Sequence, residues 1–425
     1  MDEAKDFYFI NSTYWKMFSY SHLNVFLDEH PKGDVYFWKL KRYVTYFFLF
    51  LYFPIWLVIE VSGMFLGRKG DLAQVAFDLS YVAHIVQLVI KMGYFLYYIE
   101  DIRCLCLRFE RFHTSKHRPI FSRRLLGERG QFLRRLASTY YTVIYMNFLF
   151  WIITPLFIQP IIYGLTQAGF IAPTGPQNII PKFFPVRYPF DETSTRNRII
   201  IACMEFTVLS AGFTYFIPID QFFVSVIVMV CSEIDVICKS VMTSKELTKE
   251  LDRDYSLLLG SEDTRDRIDL KLFIEDHQRA LRTTKKIGEV MNPILGLVVG
   301  NCMVLLCTLA LVITTKMKTA SSFSEVFREV FGFIVVMTTS LITLYLYSWM
   351  CGELKSSEEA VFGAVYSSDW YNRNKDYRDN VLIVMRQSYT SRPLRMMSMG
   401  DMDKETFIKG LKGIYTYYNF LTHFE

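Results

Sequence analysis

Four stretches of this chain repeat aromatic and hydrogen-bonding side chains at intervals of three and four residues. They are Phe77, Tyr81 and His84; Asn147, Trp151 and Thr154; Met204, Thr207, Val208 and Ala211; and Phe331, Val335 and Thr338. On a helix each set shares one face. Aromatic walls with a few hydrogen-bonding groups suit a small apolar ligand, while ordinary helix packing uses the same residue types. A second set of groups, Glu60, Asp78, His84, Glu205 and Asp220, lies in or beside long apolar runs. An ionisable side chain is costly there unless it meets water or a partner, so each is a candidate functional group. For Glu60 and Asp220 the expectation is an interfacial position or a structural hydrogen bond.

The end of the chain is unusual in a different way. Phe407 to Phe424 carries Lys409, Lys412, Thr416, Asn419 and His423 among apolar residues. At about 1.5 Å per residue it spans roughly 27 Å, enough to cross a bilayer, yet it is too polar to face lipid. It can line a pore. On a helix Gly413, Thr416, Tyr417, Phe420 and either His423 or Phe424 share one stripe, and Leu411, Ile414, Tyr418 and Leu421 share another. With the first stripe on a water-filled axis, Phe420 and Phe424, one turn apart, form an apolar constriction that closes by dewetting. A seventh packing helix with snorkelling lysines fits the same periodicity.

Catalytic signals are missing. The sequence has no H-E-x-x-H, no Gly-rich phosphate loop and no G-x-S-x-G, and its seven His are scattered rather than clustered as metal ligands. The expectation is a protein that is not an enzyme, with no catalytic residues, metal or cofactor. The Asn11-Ser12-Thr13 sequon is read as chance.

The elements that must position these residues are membrane helices. The 425 residues are 52% hydrophobic and 16% aromatic. Seven apolar runs stand out, at about 43–66, 72–99, 136–165, 199–238, 287–315, 324–351 and 405–424. The fourth is long enough to continue beyond a membrane. MDEAKDFYFINSTYWKMF lacks the features of a cleavable signal peptide, so the first run is expected to insert itself. Most of the 47 Lys and Arg fall at the N-terminus and in 100–135, 239–286 and 353–404. The positive-inside tendency makes these cytoplasmic, with the N-terminus inside and the C-terminus outside, opposite to a G-protein-coupled receptor. All 8 Cys fall in spans or inner segments, leaving no outer disulfide framework. The net charge of +5 then records topology and is no nucleic-acid signal.

Between the runs, His30-Pro31-Lys32-Gly33-Asp34 marks a turn before the first span, and helical extensions of spans two and three are expected to meet near Arg118-Pro119. Two amphipathic helices joined near Gly260 fit 239–286. The segment 166–198, with Pro173, Pro176, Pro181, Pro185 and Pro189, is expected to be an ordered cap without regular structure. Pro54, Pro155, Pro160, Pro218 and Pro293 lie inside spans and can kink them. No internal repeat or low-complexity tract is present.

From Glu353 onward the residues become recognisable. Ser357-Glu358-Glu359-Ala360, Ala364, Tyr366-Ser367, Trp370-Tyr371, Arg386-Gln387-Ser388, Pro393-Leu394, Phe407 and the ending Tyr415-Thr416-Tyr417-Tyr418-Asn419-Phe420-Leu421 resemble the insect odorant receptor family. The ending is also similar to the T-Y-x5-Q-F signature of gustatory receptors, with His423 in place of the Gln, which puts the chain on the odorant side.

The resemblance implies an all-α polytopic membrane protein of seven transmembrane helices with a split seventh helix and a cytoplasmic helical anchor domain. Residues 1–352 would form a six-span ligand-binding bundle, 353–404 the anchor segment with the inner half of helix seven at about 353–372, and 405–425 the pore-lining outer half. The pore and gate residues would be Thr416, Tyr417, Phe420 and Phe424, with Phe420 at the family's apolar gate position, where an aliphatic residue is usual. The resemblance further implies a nonselective cation channel of four subunits in the plasma membrane of sensory neuron dendrites. The ligand-specific members pair with a co-receptor whose second cytoplasmic loop is longer; the short 239–286 loop here resembles the ligand-specific kind. Expected partners are that co-receptor, a volatile ester, terpene, alcohol or aldehyde, permeant cations and membrane lipid, with no nucleic acid. A gustatory-type channel or a self-sufficient homotetramer is the alternative, and a G-protein-coupled receptor the weakest.

Overall fold

The computed structural model describes residues 35–66, 72–114, 120–153, 156–157, 160–161, 164, 168, 183, 188–191, 194–242, 262–319, 323–389, 394–397 and 400–422, with some side chains inside the helices left out. Among the described residues the chain is helical, with no strand and a single isolated bridge between Arg395 and Asp401.

The first span shows how proline is accommodated. Helix α1, Val35–Phe47, passes through a π-helical turn, Phe48–Tyr52, into α2, Phe53–Leu66. Pro54 has no N–H to donate and its ring crowds the carbonyl four residues back. The wider turn just before it, where the Phe53 N–H reaches Phe48 O, takes up that misfit. Pro218 and Pro293, by contrast, sit inside unbroken helices.

Helix α3, Leu72–Tyr97, stops at Tyr98, and α4, Ile99–Thr114, leaves at 65° to it. Helix α5 runs from Ile120 to Ile153. The helical extensions expected around Arg118-Pro119 are therefore present as α4 and the start of α5, although the first is bent away from its span. Helix α6, Thr195–Met242, has 48 residues and α7, Glu262–Thr319, has 58. At about 1.5 Å per residue these measure roughly 72 and 87 Å, against a hydrocarbon core of about 30 Å, so both extend far beyond any bilayer. Of the two helices expected around Gly260, the second is the beginning of α7, continuous with span five; the first lies outside the described residues.

One expected boundary moves. Helix α8 runs unbroken from Phe323 to Tyr366, straight through 352–353, where a separate inner half of helix seven was expected. Gly352 alone does not stop a helix whose buried stripe, Tyr347, Cys351, Leu354, Glu358, Val361 and Val365, continues at helical spacing on both sides of it. The break comes later, at Ser367-Ser368-Asp369, followed by a 3-10 turn, Trp370–Asn372. The separate short helix is α9, Lys375–Ser388, capped by Asn374, whose side chain accepts the Tyr377 N–H at 2.8 Å. It packs on α8 and α7.

The last helix, α10, spans Lys404–Thr422 and packs on α7 and α8. It is reached by a tight reversal in which the Met402 N–H donates to Leu394 O and the Met396 N–H to Gly400 O. Gly400 stands there at φ +115°, a conformation a side chain would oppose. Asp403 caps the helix by accepting the Thr406 N–H at 3.0 Å, while the Thr406 hydroxyl accepts the Asp403 N–H at 3.2 Å. Partial burial pushes the Asp403 carboxyl up, but the Thr406 hydrogen bonds and Lys355, 3.7 Å away, outweigh it and hold the group below its usual value. A carboxyl lowered on folding stabilises above its unfolded value near 3.8 and loses that contribution as pH falls through its lowered value. Asp403→Ala is expected to cost about 1 kcal/mol. Asp403→Asn should keep the cap and flatten the acid limb; thermal melting of purified protein against pH measures both.

The core lies around α6. Between Tyr215 and Cys238 it is buried on almost every side, between α8, α5, α7 and α3. A helix apolar all round belongs in the centre of a bundle. By length and composition Lys39–Phe65, Thr195–Met242 and Leu270–Thr315 can each cross a membrane, and Tyr81–Tyr97 with Ile99–Cys106 together make a bent fourth. The other three expected spans fall in α5, α8 and α10, which are not among these.

Two of the polar groups singled out in the sequence organise this core. Asp220 receives Lys91 Nζ at 2.6 Å and the Tyr347 hydroxyl at 2.6 Å on Oδ1, and the Tyr140 hydroxyl at 3.5 Å on Oδ2. Four helices, α3, α5, α6 and α8, thus meet at one buried carboxylate. Glu205 accepts the Phe183 N–H at 2.7 Å and the Tyr188 hydroxyl at 2.6 Å, which ties these two residues to α6. Glu60 and Asp78 are also buried.

Candidate ligand-binding cavity

Five helices surround a cavity of about 180 Å³. Helix α3 contributes Tyr81, His84, Ile85, Gln87 and Leu88, and α5 contributes Ile144, Asn147 and Trp151. From α6 come Val208, Leu209, Gly212, Phe213, Phe216 and Ile217. Helix α7 adds Asn301, Cys302, Leu305 and Leu309, and α8 adds Thr339, Ser340 and Thr343. Gly212 leaves its part of the wall without a side chain, and a Cβ there would reach ordinary contact distance, 4.0 Å, of Leu88 Cδ2.

The wall is mostly aliphatic and aromatic. His84 stacks on Phe216 with centroids 6.0 Å apart, and Lys91 Nζ lies 4.0 Å from the centroid of the same ring. Phe216 therefore stands between the cavity and the buried ion pair. The polar groups are few. Asn147 Nδ2 donates to Thr339 Oγ1 at 2.9 Å, and an Asn301 amide N–H donates to Gln87 Oε1. Among the described residues no group of three or more metal-ligating side chains comes together. The arrangement can bind and orient a small apolar molecule.

Of the residues singled out by spacing, Tyr81, His84, Asn147, Trp151 and Val208 come together on this wall. Met204, Thr207 and Ala211 do not line it. The Met204 carbonyl accepts the Tyr52 hydroxyl at 3.0 Å, the Thr207 hydroxyl is held by Cys203 O at 2.8 Å, and Ala211 is buried in the core. Helix α6 is rotated so that 208, 209, 212, 213 and 216 meet the cavity instead. Thr338 is exposed, with its hydroxyl on Ile334 O, and its neighbours Thr339 and Ser340 take the wall. Thr154 and the side chains of Phe77, Phe331 and Val335 lie outside the described residues. Gln87 and Asn301 belong to none of the sets singled out by spacing or charge. Each is nevertheless a polar residue inside an apolar run, and Gln87 follows His84 by three residues.

Helix α10 has two distinct faces. Phe407 meets Tyr345 edge-on with centroids 5.4 Å apart, Gly410 and Gly413 lie against Met303, and the Tyr418 hydroxyl is 2.9 Å from Thr314 Oγ1. Ile408, Leu411, Lys412, Tyr415, Thr416 and Phe420 are exposed. Gly413 thus stands on the packed face and Leu411 on the exposed one, each opposite to its expected stripe. Phe424 and the side chain of Tyr417 lie outside the described residues.

A family model described as 7tm Odorant receptor matches residues 71–415, which include every helix of the cavity wall. The chain belongs to the odorant receptor family. Odorant receptors of this family are membrane receptors of the channel type and not enzymes. Among solved structures the chain is similar to the insect olfactory receptor OR5 from Machilis hrabei in complex with eugenol, with a TM-score of 0.77 and 13% identity over 99% of this chain and 100% of that one. A second structure of the same receptor gives a TM-score of 0.74, again at 13% identity and with the same coverage. At that identity the likeness is one of fold. No curated protein matches the chain.

Proposed function

We propose that this odorant receptor is the ligand-binding subunit of a heteromeric, odorant-gated, nonselective cation channel in the plasma membrane of a sensory neuron. The observation that carries the proposal is the largely apolar cavity among α3, α5, α6, α7 and α8. One of the similar structures holds eugenol, which supports a small volatile as the class of ligand. The chain would cross the membrane seven times with its basic segments and N-terminus in the cytoplasm and its C-terminus outside. The end of α8 with α9 would form the anchor between four subunits. The exposed face of α10, with Thr416 and Phe420, would meet the pore axis, and Phe420 would close it.

A ligand can favour the open state only through its differential affinity for the two states. Filling the cavity would bias the helices around it, and α7 and α8, which both line the cavity and hold α10, would pass that bias to the pore helix. The bulk of Phe420 fits one pore wall among unlike partners, with the co-receptor supplying the others.

Current recorded from cells expressing the chain alone and with a co-receptor, across volatile esters, terpenes, alcohols and aldehydes, tests the reading. A current that needs both co-receptor and odorant supports it. Odorant-evoked current from the chain alone would replace the heteromer with a homotetramer, and labelling of an N-terminal tag from outside intact cells would overturn the topology. Trp151→Ala opens space on the cavity wall and is expected to shift odorant potency by about tenfold or more with an unchanged reversal potential. Altered ion selectivity with unchanged potency would remove the cavity as the binding site. Phe420→Ala should change permeation or basal current.

A further inference from the structure

Three polar atoms on the cavity wall have no hydrogen-bond partner among the described residues: Gln87 Nε2, Asn301 Oδ1 and Asn147 Oδ1. Gln87 and Asn301 face each other across α3 and α7, and one amide N–H is already committed between them. Turning both amides over reverses that bond and exchanges the roles, so in either orientation one N–H donor and one carbonyl acceptor are left over. On α5 the Asn147 amide N–H is committed to Thr339, which leaves its carbonyl oxygen. Gln87 is only 3% exposed and Asn147 8%, so bulk water does not satisfy them.

We propose that this cavity selects ligands that carry a hydroxyl group, alcohols and phenols, over ethers, esters, aldehydes and hydrocarbons of similar shape. This rests on the odorant-binding reading above. A hydroxyl oxygen accepts the spare amide N–H while its proton is donated to a spare carbonyl, so a single group answers both kinds of vacancy in the amide set. An ether, ester or aldehyde oxygen only accepts and leaves the carbonyls unpaired. A hydrocarbon leaves all three atoms unpaired. Water entering the cavity can meet the same groups, which raises the cost for any ligand that displaces it without reproducing its bonds. The part of the skeleton that the cavity holds is small, since a cavity of roughly 150 Å³ holds benzene and this one measures about 180 Å³.

The test uses the full chain with its co-receptor and dose–response curves for hexanol, benzyl alcohol and a cresol. Each is set beside its methyl ether and the hydrocarbon in which methyl replaces hydroxyl. The hydroxyl form is expected to be at least about tenfold more potent than either analogue. In Gln87→Leu/Asn301→Leu, which removes both facing amides together, the ratio should fall to within about threefold, with hydrocarbon potency kept or raised. If surface labelling shows that the double variant does not reach the membrane, Gln87→Met carries the same comparison. Equal or greater potency of ethers or hydrocarbons on the native chain, or an unchanged ratio in the variants, overturns the inference. Responses confined to esters or terpenes overturn it too, while leaving the channel reading intact. No response to any volatile overturns both.

Discussion

Asp220→Leu is expected to destabilise the protein by about 3–5 kcal/mol. The carboxylate removed is the counter-charge of Lys91, whose side chain is fully buried. Without it the ammonium is left in the core of the bundle, and the Tyr347 hydroxyl loses its acceptor at 2.6 Å. The lysine stem has no route to water that would let it snorkel, because Lys91 is 0% exposed. Lys91→Met/Asp220→Leu should recover most of the loss, since replacing both members of a buried pair by apolar residues is often close to neutral. Recovery should stop short of complete, because Tyr347 and Tyr140 keep their hydroxyls. Melting temperature in detergent and surface expression report the result. A single variant as stable as the native protein would mean that the ion pair does not hold the four helices together.

Gly413→Leu is expected to cut the maximal odorant-evoked current without abolishing surface expression. At Gly413 an added Cβ would stand 3.0 Å from Met303 Cε, and at Gly410 3.5 Å from Met303 Sδ, so the backbone of α10 lies close against α7. An alanine needs only the flexible end of Met303 to shift by a few tenths of an ångström, and Gly413→Ala should be nearly neutral. A leucine has nowhere to go, and overpacking of this kind costs about 1–3 kcal/mol. If opening draws α10 away from the pore axis and toward α7, that cost falls on the open state. A bias of about 1–3 kcal/mol changes the open-to-closed ratio by roughly 5- to 150-fold. Met303→Ala makes room and should restore current to Gly413→Leu. Normal gating in Gly413→Leu at normal surface levels would show that opening does not bring these helices together.

These two sites differ in how far they can be read from the sequence. Asp220 is conspicuous as a carboxylate in an apolar run, where the expectation is an interfacial position or a structural hydrogen bond, and the structure shows the second. Its partner was not evident, because Lys91 is 129 residues away and no periodicity relates positions on separate helices. Gly413 was assigned to the pore stripe from helical spacing alone, yet the packed face of α10 runs through Phe407, Gly410, Ile414 and Tyr418 and takes Gly413 with it. The continuity of α8 was also missed. The resemblance implies a separate inner half from about 353, whereas the buried stripe carries the helix through that position to Tyr366.

By itself the sequence determined that the chain is a helical membrane protein, where its apolar runs lie, and to which family it belongs. Local chemistry suffices for these: apolar runs cannot be placed otherwise, and the motif after Glu353 is read from residue types in order along one stretch of the chain. It also carried the start of α10, because the Asp403 to Thr406 cap is local. Only the tertiary structure decided which face of each helix meets the cavity. One residue along a helix turns the side chain by about 100°, so a small rotation of α6 or α8 exchanges Thr207 for Val208, or Thr338 for Thr339. That rotation is set by the neighbours a helix packs against, through contacts such as the Asp220 cluster and Glu205, which the order of residues along one helix does not contain.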